Sequence, residues 1–600
     1  MEETSHVHRR WSCLVVLVVV ACSARDPEPV PRVIPDPQPV VPEVVLDPGV
    51  PAPAVASNVV VDSLLETLSV REKVGQLVMP WLLGNYASTT SSEFDTISMW
   101  LDSLGIGGIL ISLGTPLDVA AKLNALQRRS RVPLLVAADL EWGTAMRLAG
   151  GTEFPHAMAL GATNRELDAY ELGRVTALEA RAVGIHLTFS PVADVNNNPA
   201  NPIINTRSFG EDPAAVAQLV AAYVRGAEEH GLRTTVKHFP GHGDTGTDSH
   251  IDLPVAGACW DRLDTLELVP FRAALAAGVT AVMTAHVAVP CVLARENMPA
   301  TLAAPITTGI LRDSLGHDGL IVTDALSMGA LLRRFGPGEM AVRAIEAGND
   351  LLVDPTDVRG TVRAVVTAVE RGRISRERLD ASVRRVLTLK AEAGLLAHRE
   401  VPLERVQSVV GHADFQAHAD DIAARALTLV ERGPLADFRG RRGRTAVITY
   451  AAETNLSVGN TLLRELRLAG DTVSSFRLYP ASGTLSYDSA RALIQRTPRV
   501  LFAIQVRFIA GLGHISMPDS LARLIQETVR RRPTMLVSFG SPYLLRQIPE
   551  YAGGYLLAWS QAAATERAAA RALAGRAAIT GRLPITLSER YRRGDGIAVK

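Results

Sequence analysis

The sequence predicts an α/β protein in which a (β/α)8 barrel of the TIM type precedes a smaller three-layer α/β sandwich domain. Between about Ser63 and Gly394, short apolar runs rich in β-branched residues alternate with helical segments, which is the pattern of a parallel sheet. Eight such runs occur there, the number that a closed barrel requires. Four further apolar runs, again separated by helices, follow after residue 441 and predict the second domain.

Each strand predicted for the barrel coincides with one of the eight apolar runs. They are Val74–Pro80, Ile106–Ser112, Leu134–Ala138, His186–Pro191, Arg233–His238, Thr280–His286, Leu320–Thr323 and Leu351–Val353. The segment after Asp212 illustrates the helices between them, because Val216, Val220 and Val224 recur on one face and Asp212 supplies an N-cap. We assign residues 61–397 to the barrel; the alternation alone also fits a doubly wound open sheet.

Residues 398–440 are predicted to form a helical connector, and residues 441–600 the sandwich domain. The predicted strands of this domain are Thr445–Tyr450, Val500–Gln505, Met535–Phe539 and Gly554–Trp559. Helices such as Asp519–Arg531 separate them, so five or so strands would form one sheet covered on both faces. The hypothesis is that this domain packs against the barrel and borders its pocket.

The N-terminus predicts export. Residues 1–22 resemble a signal peptide, because basic residues precede an apolar run too short to span a bilayer comfortably. This run ends in Val19–Cys22, which resembles a bacterial lipobox; an ordinary secretory signal is the alternative. Residues 23–60 are rich in proline and predict a semi-rigid linker. We therefore expect a membrane-anchored lipoprotein that faces the periplasm or the cell exterior.

Charge and cysteine content exclude some classes of protein and leave others open. Lys plus Arg and Asp plus Glu both number 62, so a net charge of zero gives no electrostatic case for a nucleic-acid partner. Outside the targeting segment only Cys259 and Cys291 remain, too few for a disulfide framework. The sequence does not decide whether these two cysteines pair.

Polar residues follow five of the predicted barrel strands at the same end. They are Asp139 with Glu141, Asp194 with Asn196, Lys237 with His238, then His286 and Asp324. In a barrel of this kind, reactive groups lie at the carboxyl ends of the strands. The sequence therefore predicts one polar pocket built from several strands.

Two segments indicate the chemistry of this pocket. Residues 237–250 form a glycine-rich loop with three histidines and two aspartates, in which Asp248 precedes His250 by two residues. Asp324, at the end of its strand, can attack an electrophilic carbon. A histidine oriented by a nearby aspartate can transfer protons near neutral pH. Together they supply the nucleophile and the acid/base that covalent double displacement needs.

Several motifs together resemble one family. They are Lys237–Thr245, Asp248–His250, Arg207–Pro213, Pro191–Asn196 and Thr323–Met328. From about Ser63 onward the chain resembles glycoside hydrolase family 3, specifically its β-N-acetylglucosaminidase branch. The resemblance implies the barrel-and-sandwich fold and a retaining mechanism that removes β-linked N-acetylhexosamine residues from non-reducing ends.

The resemblance also implies roles for individual residues. Asp324 matches the nucleophile and His250 the acid/base, with Asp248 as its orienting partner, instead of the usual second carboxylate. The residues implied to hydrogen-bond the sugar hydroxyls are Asp139, Arg207, Lys237 and His238. The chain departs from the family at Trp142, where an indole replaces a glycine and could add a stacking surface at the pocket rim.

The expected partner is a carbohydrate, either peptidoglycan fragments or chitin-type oligosaccharides, and no cofactor or metal is expected. Two rival interpretations are a metal-dependent hydrolase, which the irregular spacing of the histidines disfavours, and a glycan-binding lipoprotein without catalysis. A closer alternative is a phosphorylase that uses the same site. Since a histidine acid/base is neutral after it gives up its proton, phosphate could replace water in the second step.

Overall fold

The computed structural model of the protein describes residues 58–293 and 298–600. The predicted signal peptide, its lipobox and most of the predicted linker lie outside the described residues. Nine short strands form the barrel: β1 (Val78–Met79), β2 (Trp81–Leu83), β3 (Gly108–Ser112), β4 (Leu135–Ala138), β5 (Leu187–Thr188), β6 (Arg233–Phe239), β7 (Ala281–Thr284), β8 (Leu320–Thr323) and β9 (Leu352–Val353).

Pairing between parallel strands closes the barrel. Strands β2 to β8 form one sheet in chain order, and β1 pairs with β9. A bridge between Val322 and Leu351 joins β8 to β9, and β1 continues into β2 across Pro80. Counting β1 and β2 as one position gives the eight strands that were predicted. The barrel is therefore confirmed, and the open sheet is excluded.

The first predicted strand was placed too early. Val70–Gln76 is a helix with a capping box at its start, in which Ser69 and Glu72 bond reciprocally. The buried apolar residues near its end read equally well as strand or helix, because periodicity cannot separate short buried segments. The capping box was the signal that identified the helix.

Helices surround the barrel and cover its outer face. They are α1 (Asn58–Thr67), α2 (Val70–Gln76), α3 (Ser92–Met99), α4 (Pro116–Arg129), α5 (Ala157–Thr163), α6 (Glu166–Ala182), α7 (Pro213–Glu228), α8 (Trp260–Arg262), α9 (Leu268–Ala276), α10 (Pro290–Leu293), α11 (Gly329–Leu332), α12 (Pro337–Ala347), α13 (Val358–Glu370) and α14 (Arg376–Glu392). Wider helical turns cover Trp100–Leu104, Leu263–Glu267 and Pro305–Ser314. Buried aliphatic side chains from strands and helices form one continuous core.

The second domain is a six-stranded sheet between helices. Its strands are β10 (Thr428–Glu431), β11 (Arg444–Tyr450), β12 (Thr472–Leu478), β13 (Arg499–Ile504), β14 (Thr534–Ser538) and β15 (Gly554–Leu557), in the order β10-β15-β14-β13-β11-β12. Only β10 runs antiparallel to its neighbour. The helices are α15 (Leu403–Val409), α16 (Ala413–Ala426), α17 (Leu435–Phe438), α18 (Asn460–Leu468), α19 (Thr484–Gln495), α20 (Asp519–Val529) and α21 (Ala563–Leu573).

Two strands of this sheet were missed. Strand β10 lies inside the segment predicted as a wholly helical connector, so the sandwich sheet begins before residue 441. Strand β12 lies at the sheet edge, and most of its side chains are exposed or half-buried. It therefore lacks the apolar run that marked the other strands. Within the described residues, no helix is both long and apolar enough to cross a bilayer.

Polar contacts join the two domains beside the carboxyl ends of the barrel strands. Asn196 Nδ2 donates to Tyr543 Oη at 2.9 Å, and Thr586 donates to the Glu211 carboxylate through its backbone and its hydroxyl. Gly511 N–H donates to Asp248 Oδ2 at 2.9 Å. The prediction that the second domain packs against the barrel is confirmed.

Candidate active site

A cavity of about 600 Å³ opens at the carboxyl ends of the barrel strands. Six of the predicted site residues line it: Asp139, Arg207, Lys237, His238, His250 and Asp324. The seventh, Asp248, is buried directly behind His250. The cavity also receives residues 507–510 and Gln561 of the sandwich domain, so the hypothesis that this domain borders the pocket is confirmed.

Five charged residues form a chain of ion pairs on one wall of the cavity. Lys237 Nζ lies 2.9 Å from Asp139 Oδ1 and 2.8 Å from Glu141 Oε1. Arg207 binds Glu141 through two nitrogens, at 2.9 and 2.7 Å, and Arg147 Nη2 donates to Asp139 Oδ2 at 2.8 Å. Such pairing holds planar donors and acceptors in fixed orientations, which suits recognition of a ring of hydroxyls.

The same network keeps its members ionised. Burial alone would raise the pKa of Asp139, but the charges of Lys237 and Arg147 lower it to about 2. The pKa of Glu141 lies well below its ordinary value, because Arg207 and Lys237 outweigh the effect of burial. Burial would lower the pKa of Lys237, and the two carboxylates raise it. These groups therefore remain charged across the physiological range.

His238 is oriented by a buried carboxylate. Its Nδ1–H donates to Asp194 Oδ2 at 2.7 Å, and the backbone N–H of His242 donates to Asp194 Oδ1 at 2.7 Å. This leaves His238 Nε2 directed toward Arg207 Nη2, 3.5 Å away, and the cavity. Asp194 therefore fixes the strand end and the loop that follows it.

The Asp248–His250 pair lies where the two domains meet. Asp248 Oδ1 accepts from His250 Nδ1–H at 2.8 Å and from His250 N–H at 2.9 Å. The ring of His250 is one-third exposed, with its Nε2 side free of the carboxylate. The ring of Phe508 from the sandwich domain lies 5.8 Å from it, centre to centre. This histidine is thus held by both domains while it stays accessible from the cavity.

Asp324 follows β8 and contacts few other groups. Ala325 N–H donates to its Oδ1 at 2.7 Å, and no Lys or Arg within residues 58–293 and 298–600 forms an ion pair with it. Burial would raise its pKa, but His286, His238 and His250 together lower it. His286 is fully enclosed; its Nε2–H donates to Ala325 O at 2.9 Å, so it supports the backbone beside Asp324.

The rest of the histidine loop is structural. His242 Nδ1 lies 2.6 Å from Thr245 Oγ1, and Asp244 pairs with Arg262 at 2.8 Å. Cys259 and Cys291 form a disulfide with their Cα atoms 5.0 Å apart, which answers the pairing left open by the sequence. In the part of the chain that the structure describes, no group of three His, Cys, Asp or Glu side chains is arranged to hold a metal ion.

Several lining residues were not predicted. Trp142 lines the cavity as expected, but it also stacks on His156 at a ring distance of 4.6 Å. Arg147 and His156 carried no motif. Arg507 and Phe508 lie three and four residues after the end of β13, and no local pattern in the sequence connected this strand end with the barrel pocket.

Comparison with known proteins agrees with this geometry. The family described as "Glycosyl hydrolase family 3 N terminal domain" matches residues 69–389. A β-N-acetylglucosaminidase/β-glucosidase of Cellulomonas fimi is 31% identical over 80% of this chain and 87% of its own length. The β-hexosaminidase LpqI of Mycobacterium tuberculosis is 35% identical over 48% of this chain and 76% of its own length.

Solved structures give the same result for the fold of both domains. A family 3 β-N-acetylglucosaminidase from Paenibacillus sp. superposes with a TM-score of 0.80 at 34% identity, over 87% of this chain and 99% of that chain. A β-glucoside phosphorylase, BglX, superposes with a TM-score of 0.80 at 27% identity, over 88% and 96% of the two chains. The chain therefore belongs to glycoside hydrolase family 3, and it is a glycosidase.

Proposed function

We propose that this glycosidase removes β-linked N-acetylglucosamine, or a related N-acetylhexosamine, from the non-reducing end of a glycan with retention of configuration. The observation that carries the proposal is the Asp248–His250 pair, 2.8 Å apart, on the same cavity as Asp324. The names of the Cellulomonas, Mycobacterium and Paenibacillus relatives support the choice of sugar.

In the first step Asp324 attacks the anomeric carbon of the sugar. The carboxylate is well suited to this, because its pKa is low and no cation is bonded to it among the described residues. At the same time His250 donates the proton on Nε2 to the departing glycosidic oxygen. Asp248 accepts from Nδ1–H of the ring and orients Nε2 toward the bond that breaks.

In the second step His250 acts in the opposite direction. The neutral ring accepts a proton at Nε2 from a water molecule, and the resulting oxygen nucleophile attacks the covalent glycosyl–Asp324 intermediate. The Asp324 carboxylate leaves, and both catalytic groups return to their starting protonation states. Two inversions at the same carbon give net retention.

The charged wall holds the sugar during both steps. Lys237 is held by Asp139 and Glu141, and Arg207 by Glu141, so little side-chain entropy is lost when hydroxyls bind. Hydrogen bonds to charged groups contribute about 1.5–3 kcal/mol each. A few such contacts can therefore dominate recognition of the ring.

Release of nitrophenol from two aryl glycosides tests the proposal. The wild-type enzyme should cleave the β-N-acetylglucosaminide faster than the β-glucoside, and Asp324→Ala should abolish turnover of both. Equal or better turnover of the glucoside would refute the acetamido-sugar specificity. No turnover of either by the folded wild type would instead support a glycan-binding protein.

A phosphorylase remains the second candidate. The structural match to a β-glucoside phosphorylase at 27% identity favours it, as does an acid/base that becomes neutral when deprotonated. In that reaction phosphate, in place of water, would attack the intermediate. Glycosyl phosphate as the main product, when inorganic phosphate is present, would establish this reaction instead of hydrolysis.

The proposal also includes export, with peptidoglycan fragments or chitin-type oligosaccharides as substrates. The Cys259–Cys291 disulfide supports an oxidising compartment, where such bonds persist. The predicted lipobox would attach the enzyme to a membrane. Labelling with a radioactive fatty acid should mark the protein and should fail in Cys22→Ala; labelling of that variant would refute the anchor.

A further inference from the structure

Arg507 is a cation of the active-site cavity without an acidic partner. It follows β13 of the sandwich domain and lines the cavity together with Phe508. No carboxylate of residues 58–293 or 298–600 forms an ion pair with it. Burial lowers its pKa, and no nearby acid opposes that effect. Arginines in such surroundings are usually paired, so the arrangement points to an anion that arrives with a ligand.

The other Lys and Arg side chains that line the cavity each pair with a carboxylate. Arg147 binds Asp139, Arg207 binds Glu141, and Lys237 binds both carboxylates. Glu153 also lines the cavity, but it accepts a hydrogen bond from Ala563 N–H at 3.3 Å and forms no ion pair with Arg507. The charge of Arg507 therefore acts on the cavity itself.

The position of Arg507 indicates which part of a substrate it would meet. It lines both the active-site cavity and a second cavity of about 370 Å³ on the sandwich domain, and Ile509 does the same. These residues thus lie at the junction of the two cavities. The adjacent Phe508 contacts His250, the group proposed to protonate the leaving oxygen. The same Phe508 ring lies 5.5 Å from the guanidinium of Arg207 on the charged wall. Arg507 therefore borders the rim of the cavity, and a group that extends from the bound sugar into the second cavity would pass it.

We propose that Arg507 forms an anion-binding subsite beside the scissile bond. This inference rests on the proposed function and deepens it. The ligand chemistry is an oxyanion that a guanidinium binds by paired hydrogen bonds. Two sources can supply it: a carboxylate on the sugar that departs, or inorganic phosphate that takes the place of water. The second cavity, lined by Ile509, Leu512 and Met517, accommodates an apolar group beyond the anion.

The test compares Arg507→Gln with wild type on two matched disaccharides. One is chitobiose, which is neutral; the other is N-acetylglucosaminyl-β-1,4-N-acetylmuramic acid, which carries a lactyl carboxylate on the leaving sugar. The wild type should prefer the acidic disaccharide in kcat/KM, and Arg507→Gln should reduce that preference about 10- to 100-fold. Turnover of chitobiose should change by less than about threefold.

Control variants separate the charge from the fold. Arg507→Lys should retain part of the preference, and Arg530→Gln, an exposed arginine on the same domain, should retain all of it. Melting temperatures show whether each variant is folded. Calorimetry of both disaccharides with Asp324→Ala compares their binding affinities without turnover. The subsite can therefore be tested even if the proposed function is wrong.

A separate measurement tests inorganic phosphate as the ligand of Arg507. If phosphate is the ligand, inorganic phosphate should accelerate release of the aryl leaving group from wild type and yield glycosyl phosphate. Sulfate should not yield this product, and Arg507→Gln should lose most of the acceleration. Either result, for the carboxylate or for phosphate, supports the subsite and names its ligand. An Arg507→Gln variant that is folded and changes neither response would overturn it.

Discussion

Two aspartates at opposite ends of neighbouring barrel strands show how differently one side chain can be used. Asp324 follows β8 at the cavity end, and Asp350 precedes β9 at the other end. Asp324 accepts one backbone hydrogen bond, from Ala325. Asp350 is fully buried and meets three arginines, Arg312, Arg378 and Arg385, together with the Ser382 hydroxyl at 2.6 Å.

The different surroundings of the two aspartates suit one of them to a reaction and the other to stabilising the fold. A carboxylate surrounded by guanidinium groups has its lone pairs committed and cannot approach a carbon atom. The arginines at Asp350 link the helices α14 and Pro305–Ser314 to the strands, so this cluster holds the closed end of the barrel together. Among residues 58–293 and 298–600, no Lys or Arg pairs with Asp324, and histidines lower its pKa instead. The open end of the barrel is thus where the charge is available for chemistry.

The largest effect is expected from a change at Asp324, the proposed nucleophile. Asp324→Asn preserves shape and removes the nucleophile, so kcat should fall at least about 10⁴-fold on the aryl N-acetylglucosaminide. Because no ion pair is lost, the free energy of unfolding should change by less than about 1 kcal/mol. Kinetics and denaturant unfolding measure the two quantities. Retention of more than about 1% of the wild-type activity would contradict the assignment of the nucleophile.

Asp248→Asn tests the proposal that Asp248 orients His250 as the acid/base. Asp248 accepts from His250 and from Gly511, and an amide cannot accept in both directions. The value of kcat should fall about 10²- to 10⁴-fold on chitobiose, and much less on an aryl substrate whose phenol leaves without protonation. Asp244→Asn is the matched control, since Asp244 lies on the same loop and pairs with Arg262. Equal losses on both substrates would argue for a purely structural role.

Asp350→Asn tests the stabilising member of the comparison. It leaves three arginines without their counter-charge, so the free energy of unfolding should fall by about 3–5 kcal/mol. The kcat of the folded fraction should stay within about twofold of wild type, because the site is at the other end of the barrel. Urea unfolding monitored by circular dichroism measures the loss. As a control, Glu339→Gln removes an acid that meets two arginines at the surface, and should cost about 1 kcal/mol or less.

The two ends of the barrel also differ in how much of their structure could be predicted from the sequence. The polar residues at the strand ends could each be recognised in the sequence. The resemblance assigned Asp139, Lys237, His250 and Asp324 to one pocket, and in the structure these four residues line one cavity. These residues lie on segments whose geometry is set locally by the strands. The barrel was predictable for the same reason, since each βα unit repeats the same apolar pattern.

What could not be predicted depends on contacts between distant segments. The hydrogen bond from Gly511 to Asp248 joins residues that are 263 positions apart, so no local sequence pattern indicates it. Arg507 became a pocket residue only because the sandwich domain packs over the barrel mouth. In the sequence, Arg378 and Arg385 look like ordinary surface charges of helix α14, and Arg312 looks like one of the helical turn Pro305–Ser314. Long-range placement, not residue type, decided each of these roles.

The smallest expected effect concerns Lys390, also at the closed end of the barrel. Its side chain is fully buried, and its Nζ donates to Gln76 Oε1 at 2.6 Å. Burial lowers its pKa from 10.5 to about 7. The neighbouring His186 and Arg181 add no negative charge, and no acid of the described residues pairs with Lys390. In contrast to Asp350, this charge is not compensated.

Lys390→Met should therefore stabilise the protein, and by an amount that depends on pH. Below about pH 7 the ammonium is charged in both the folded and the unfolded state, so its burial penalty is complete. Between about pH 7 and pH 10 the unfolded chain binds more protons, so the stability of the wild type rises and the penalty fades. We expect a gain of about 2 kcal/mol near pH 6, after the lost hydrogen bond to Gln76 is included, that shrinks toward pH 10. Urea unfolding at several pH values measures it, with Lys73→Met, which loses a salt bridge to Asp380, as the control. A gain independent of pH would mean that Lys390 has the same pKa in the folded and the unfolded protein, so that packing alone accounts for the effect.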